Sequence, residues 1–330
     1  MKGEGKVGGD HDMDQHIREV LDNGLQSLDG KIKAILNSKR GAKHRREHMT
    51  DPMTEAGEPK AGSLAGAAAL ASLLKFRLQK YGKSKAEQTL LATLLGCNSS
   101  SSCSSPACPN CTYTVRGVMN ELHQDIREGG VLLDGCVTIL PPRIRFMPST
   151  APDRGVDAAV ERITRFRRRL DEAFEAAGVS NVIGAIDLGY NEFPEEHFIE
   201  HCRPHLHGLA FASPLTAGDR QLRKAFPKKG SVSRPVQVEP FDGEDGWLRY
   251  ALKTPNSRTI RKKDDAGRWL PSTYKPLTVE QHLQQALVLH EIGWAGRLYL
   301  RGFDLVEGRQ GWRLTLTQFQ PAVIGKTRGT

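Results

Sequence analysis

The sequence predicts an α+β fold in which a central antiparallel sheet with flanking helices follows a helical N-terminal region holding a cysteine cluster. Three observations predict it. Short apolar, β-prone runs recur at 131–140, 181–190 and 204–212. Between the first two lies a stripe at helical spacing, Val160, Ile163, Phe166, Leu170, Phe174 and Ala177. Ahead of all of them, four of the six cysteines crowd between residues 97 and 111.

Taken in order, residues 1–13 are rich in Gly, Lys and Asp and carry no apolar period. Ile17, Leu21, Leu25, Leu28, Ile32 and Ile35 then recur as one face of an amphipathic helix, which ends in the basic run 39–46. Residues 47–62 read as linker, so 1–62 is expected to be a largely disordered basic region with one helix. The Ala- and Leu-rich stretch 63–80 predicts a second helix, and Ser84 with Glu87 has capping-box spacing ahead of Leu90, Leu91, Leu94 and Leu95. These helices and the cysteines make up a region at 63–125; the main domain spans 126–330.

That domain opens on the strand 131–140, stopped by Pro141-Pro142, and continues through the long helix, whose C-cap is expected at Gly178. A polar, Glu-rich connection of hairpin type joins the strands 181–190 and 204–212. There follow a weaker helix at 217–225, a strand at 235–239, a helix through Trp247, Tyr250 and Lys253, a helix at 278–291, and strands at 297–301 and 312–319.

Composition limits the partners. A formal charge of +9 over 330 residues points to a polyanion, nucleic acid above all. No uninterrupted apolar run reaches the roughly 18 residues of a membrane span, and the N-terminus lacks a signal-peptide pattern, so a cytoplasmic protein without a membrane partner is expected. Phosphate contacts are expected from Arg162, Arg165, Arg168, Lys228, Lys229, Arg258, Arg261, Lys262 and Lys263.

The chemistry sits in two segments. In Arg203-Pro204-His205-Leu206-His207-Gly208, alternation along a strand turns both imidazoles to one face. Asp187 stands alone among apolar and small residues on the preceding strand. A buried carboxylate is costly unless it is paired or holds a metal, so Asp187, His205 and His207 are read as a divalent-metal site, with Glu192 as the fallback ligand. Taken alone, His-x-His also fits a pair of hydrogen-bonded structural histidines. Further on, Tyr250 and Lys253 share one face of a helix. A phenol has an unperturbed pKa of about 10, and a neighbouring ammonium favours the phenolate. In isolation, Tyr-x-x-Lys equally fits an ordinary amphipathic helix.

The order of these pieces over residues 131–257 resembles the HUH endonuclease superfamily, in its single-tyrosine rolling-circle replication initiator (Rep) branch. Val137-Thr138-Ile139-Leu140 approximates the first motif, His205-Leu206-His207 the second, and Tyr250 with Lys253 the third. The resemblance implies a Rep-type nuclease fold and Mg2+ or Mn2+ on Asp187, His205 and His207. It implies attack by Tyr250 on a replication origin, hairpin or single-stranded, leaving a 5′-phosphotyrosine and a free 3′-OH. Relatives usually carry Glu where Asp187 stands. The termination glutamate of several initiators falls at Gly246, with Glu244 or Asp245 as substitutes. No phosphate-binding Gly-x4-Gly-Lys-Ser/Thr loop is present, so unwinding is assigned to a separate host helicase.

Cys97, Cys103, Cys108 and Cys111 fall as C-x5-C-x4-C-x2-C, and the Cys-Pro-Asn-Cys end has zinc-knuckle character, so a structural Zn2+ is expected there; Cys136 and Cys202 are left outside it. Three further readings stand beside the initiator: a single-strand transposase of the same chemistry, a non-catalytic zinc-containing DNA-binding protein with structural histidines, and a metal-dependent hydrolase that uses water.

Overall fold

The computed structural model describes residues 27–47, 64–98, 101–141, 144–146, 155–193, 198–229, 232, 234–241, 243, 247, 251–253, 257–260, 264, 266–268, 270, 272–308 and 311–317. It is a mixed α and β structure built on one seven-stranded sheet with flanking helices.

Helices come first. α1 (residues 27–37) buries Ile32, Ile35 and Leu36, which extends the predicted apolar stripe into a folded core. The basic run beyond it forms α2 (Lys39–Glu47). There Arg40, Lys43 and His44 converge on Glu121, so this run is tied to a neighbouring helix. α3 (Leu64–Tyr81) and α4 (Lys85–Leu95) follow, and the Ser84–Glu87 capping box forms as its spacing predicts. α5 (Pro109–Glu128) begins at Cys108, with proline in its first turn.

The sheet is built from β1 (Gly135–Ile139), β2 (Val182–Phe193), β3 (Phe198–Ala210), β4 (Val236–Pro240), β5 (Ser257–Ile260), β6 (Thr273–Pro276) and β7 (Leu298–Arg301). The order β4-β1-β3-β2 is antiparallel throughout. The far edge of β2 is divided: β7 pairs antiparallel with Val182–Ala185, and β5 pairs parallel with Tyr190–Glu192. The expected wholly antiparallel sheet is therefore corrected to a mixed one. After β4 at one edge the chain crosses to the opposite side of β2 and re-enters there as β5, running in the same direction as β2.

α6 (Val156–Ala176) lies between β1 and β2 and buries Ile163, Phe166, Leu170 and Phe174. Gly178 takes a positive φ of 70° immediately after it, the left-handed stop that the sequence predicts. α6 and α7 (Ala212–Ala225) cover one face of the sheet. Phe174 packs on Tyr299, which pairs with Gly184, and a Cβ at Gly135 would meet Ala212 and Leu215. The opposite face carries Asp187, His205 and His207. The hairpin β2–β3 is longer than predicted because its ladder continues through Asn191↔His201 to Phe193↔Phe198.

α8 (Val279–Arg297) breaks at Gly293, whose φ of 62° lets the carboxylate of Asp29 accept from the backbone N–H of Trp294 at 2.6 Å. A Cβ at Gly293 would collide with that carboxylate. A separate hairpin, β8 (Phe303–Gly308) and β9 (Gly311–Leu316), closes the described chain; β8 went unpredicted. Buried side chains from Ile32 to Leu314 form one continuous core. Among the described residues, no helix is long and apolar enough to cross a membrane.

Candidate active site and metal centres

Register places the site. Asp187 lies directly opposite His205 across β2 and β3, and His207 lies opposite Thr138 across β3 and β1. Because alternate residues share a face, three neighbouring strands contribute to one patch. Ligand atoms of Asp187, His205 and His207 all lie within 4.8 Å of one another. Asp187 falls in the interval where neither β5 nor β7 pairs with β2, and Lys253 reaches it there: Nζ lies 3.1 Å from Oδ2. His205 Nε2 is 3.4 Å from the same oxygen.

Each imidazole is oriented from behind. His207 Nδ1 lies 3.0 Å from Thr138 Oγ1, and His205 Nδ1 lies 3.3 Å from the carbonyl oxygen of Arg203. With a proton on each Nδ1 donated to these acceptors, both Nε2 lone pairs are left for a cation, the usual support of ligating histidines. Gly189 makes room, since a Cβ there would sit 3.0 Å from His205 Cε1.

The electrostatics suit the same role. Burial works to raise the Asp187 carboxyl, yet Lys253 and the two imidazoles outweigh it and hold the group well below the usual carboxylate range. Burial, reinforced by the His205 ring, pushes His207 down to about 3, so its imidazole is neutral near pH 7. An ionised carboxylate with two neutral-capable imidazoles is a donor set for Mg2+, Mn2+ or a transition metal. The fallback ligand Glu192 is engaged elsewhere: Oε1 lies 2.6 Å from Arg258 Nε and accepts from Gln281.

Next to this cluster opens a cleft of ≈ 400 Å³ bordered by Cys136, Thr138, His205, His207, Gln237, Glu239 and Trp247. Trp247, partly buried against the core, also lines the cleft with its ring, which stands at a steep angle to His123 of α5. Tyr250, Glu244, Asp245, Gly246, Arg261, Lys262 and Lys263 lie outside the described residues. Trp247 and Ala251 are helical on either side of Tyr250, and Ala251 and Leu252 are fully buried.

The remaining basic candidates are not gathered here. Arg162, Arg165 and Arg168 belong to α6, across the sheet from Asp187. Arg165 and Arg168 pair along the helix with Glu161 and Glu172, and Arg162 donates to the carbonyl of Arg145. Lys228 and Lys229 are exposed beyond α7. Arg258, expected to be open to phosphate, is instead held by Glu192 and by the carbonyl of Pro276, because β5 inserts beside the end of β2.

The second cluster is Cys97, Cys103, Cys108 and Cys111. Cys111 Sγ lies 3.6 Å from Cys97 and 3.5 Å from Cys103, and Cys108 lies 3.6 Å from Cys97. A tetrahedral site with Zn–S bonds of about 2.3 Å has sulfurs about 3.8 Å apart, so four thiolates at these separations fit a metal such as zinc. Hydrogen bonds from Cys103 and then Cys108 pull Cys97 and Cys111 below the ordinary thiol value, while the shared network and burial push Cys103 and Cys108 above it. Cys108 and Cys111 also sit at the start of α5, where the helix dipole favours negative charge. Cys136 borders the cleft; Cys202 pairs with Tyr190 and alternates away from His205, so neither joins a cluster.

α8 fastens the cysteine loop. Trp294 Nε1 donates to the carbonyl of Ser104, His290 Nδ1 meets Ser105 Oγ at 3.0 Å, and Arg297 donates to the carbonyl of Pro106 and to Thr112 Oγ1. Arg297 is fully buried, which lowers its pKa to about 10 and still leaves it charged near neutral pH. Sequence reading missed this arginine as well as the role of Thr138. No family model matches the chain, and neither a curated protein nor a solved structure matches it.

Proposed function

We propose that the protein is a metal-dependent DNA nickase that cuts one strand of a replication origin with Tyr250 as nucleophile, as rolling-circle initiators of the HUH superfamily do. The observation that carries this reading is the convergence of Asp187, His205 and His207, with Lys253 3.1 Å from the carboxylate. Trp247 and Lys253 both reach this patch, and Tyr250 falls midway between them in sequence.

Asp187, His205 and His207 would hold Mg2+ or Mn2+, which when bound would supply Lewis-acid polarisation of the scissile phosphate. The chain's own groups do the rest. Asp187 stays ionised, and Thr138 and the Arg203 carbonyl hold the two imidazoles in one tautomer. The Tyr250 phenolic oxygen forms a bond to phosphorus as the P–O3′ bond breaks. The phenolic proton passes to solvent and a proton enters on the departing 3′ oxygen, leaving a 5′-phosphotyrosyl end and a free 3′-OH. Lys253 favours the phenolate and offsets charge on the phosphoryl oxygens. Return of a 3′-OH onto the phosphotyrosine reverses the step and rejoins the strand. Zn2+ on the four cysteines has a structural role, fixing the start of α5 and the loop that α8 grips. Origin DNA in hairpin or single-stranded form is the partner, with a separate helicase for unwinding.

The test is incubation of the protein with supercoiled plasmid carrying its native origin, with and without Mn2+. Relaxed product with protein bound to a 5′ end is expected, and it should disappear in Tyr250→Phe and in His205→Ala. Nicking that survives Tyr250→Phe would refute the tyrosine mechanism in favour of hydrolysis by water.

A further inference from the structure

We infer that the cleft beside the metal-ligand cluster is a pocket for one unpaired nucleobase, and that it selects guanine. The placement of the adjoining phosphate on Asp187, His205 and His207 rests on the nickase reading; the pocket itself rests on its lining.

Strand register draws a polar row across the sheet. Thr138 pairs with His207 on one side and with Gln237 on the other, and Cys136 pairs with Glu239 one step further along. All of these side chains share the face of Asp187. With neighbouring strands about 4.8 Å apart, Gln237 stands about 10 Å from His207, two strand spacings toward the edge of the sheet. That span suits a nucleotide whose phosphate lies at the metal ligands and whose base edge points to β4. The volume of ≈ 400 Å³ is of the right order for one nucleotide and far short of a duplex.

Trp247 supplies the wall. Its ring lies 5.7 Å from that of His123 at 76°, and His123 in turn lies 6.1 Å from Phe241 at 69°, so the indole is backed by two further rings. An aromatic wall along a cleft is the usual platform for an unstacked base.

Gln237 and Glu239 supply the selection. Among the described residues, neither side chain has a hydrogen bond or ion pair, and both border the cleft. A carboxylate beside a DNA phosphate repels it unless base donors offset the charge. Guanine offers two adjacent donors, N1–H and the 2-amino group, that match both oxygens of Glu239, and its O6 accepts from the Gln237 amide. Cytosine and adenine present a single amino group, and thymine turns carbonyl oxygens toward the carboxylate.

Binding of short, fluorescently labelled oligothymidylates carrying a single dG, dA or dC at each position in turn, read by anisotropy in EDTA, tests the pocket without any nicking. One position should show at least about tenfold tighter binding for dG than for the other bases, since a bidentate contact is worth about that much. Glu239→Gln should erase the preference, bringing the dG oligonucleotide level with the other three. Trp247→Leu should weaken all four oligonucleotides by about tenfold, and Trp247→Phe should restore most of that loss. Equal binding of the four bases, or a guanine preference that persists in Glu239→Gln, overturns the inference. Nicking with no base preference removes the pocket alone; guanine preference without nicking leaves the pocket and removes the nickase reading.

Discussion

Arg297 donates to the backbone carbonyl of Lys253 at 2.8 Å while its other nitrogen holds the carbonyl of Pro106 and the hydroxyl of Thr112. One buried guanidinium thus ties the cysteine loop to the residue that faces Asp187. Arg297→Met leaves the Lys253 carbonyl without its donor, at about 1–3 kcal/mol if water cannot reach it, whereas the Thr112 hydroxyl still donates to the Pro106 carbonyl. Urea unfolding should show a loss of about 1–3 kcal/mol. Arg297→Lys should recover only part of it, because an ammonium cannot span both partners.

Thr138 supports His207 from behind. Thr138→Val removes the group that fixes the imidazole's tautomer, and loss of such support weakens metal affinity by about 10–100-fold. Calorimetric titration with Mn2+ should show this drop, with a stability change of about 1 kcal/mol. Unchanged affinity would mean that His207 is not a ligand.

The four clustered cysteines should carry bound zinc equimolar with the chain, measured by elemental analysis. Cys111→Ser should release it and lower the unfolding temperature. Cys136→Ser, outside the cluster, should keep the metal.

Acid should destabilise the fold in a defined window. His207 and His282 are buried neutral groups, pushed down to about 3 and about 4, in both cases by burial first. Each therefore contributes stability that is complete above the unfolded value of 6.5 and is lost as pH falls toward those folded values. Between pH 6.5 and 4 each group takes away up to about 1.4 kcal/mol per pH unit. Asp187, also depressed, adds a loss below its unfolded value of 3.8. Urea titrations of the divalent-free protein across this range should show the decline, and His282→Gln should reduce its slope by about one proton.

Local signals in the sequence were legible. The Ser84–Glu87 box, the apolar stripe of α6 and the stop at Gly178 each depend on neighbours within a turn or two, and each forms as its spacing predicts. Period-two alternation likewise placed His205 and His207 on one face with Asp187 beside them. What was hidden depends on partners distant in the chain. Nothing near Arg258 indicates that β5 will lie parallel to the end of β2 and commit that arginine to Glu192. Polar residues such as Asn191 and His201 disguised the length of the hairpin, because the ladder is made by backbone groups. Arg297 reads as the start of a strand and Trp247 as one position of a helix until the fold brings one to Lys253 and the other to the cleft.

The most direct measurement is mapping of the covalent adduct. The protein is incubated with single-stranded origin oligonucleotide and Mn2+, digested with protease and nuclease, and its peptides are sequenced by mass spectrometry. A nucleotide joined through its 5′ phosphate to Tyr250, absent from Asp187→Asn, is the predicted result. An adduct on another residue, or cleavage with no adduct at all, would contradict the account.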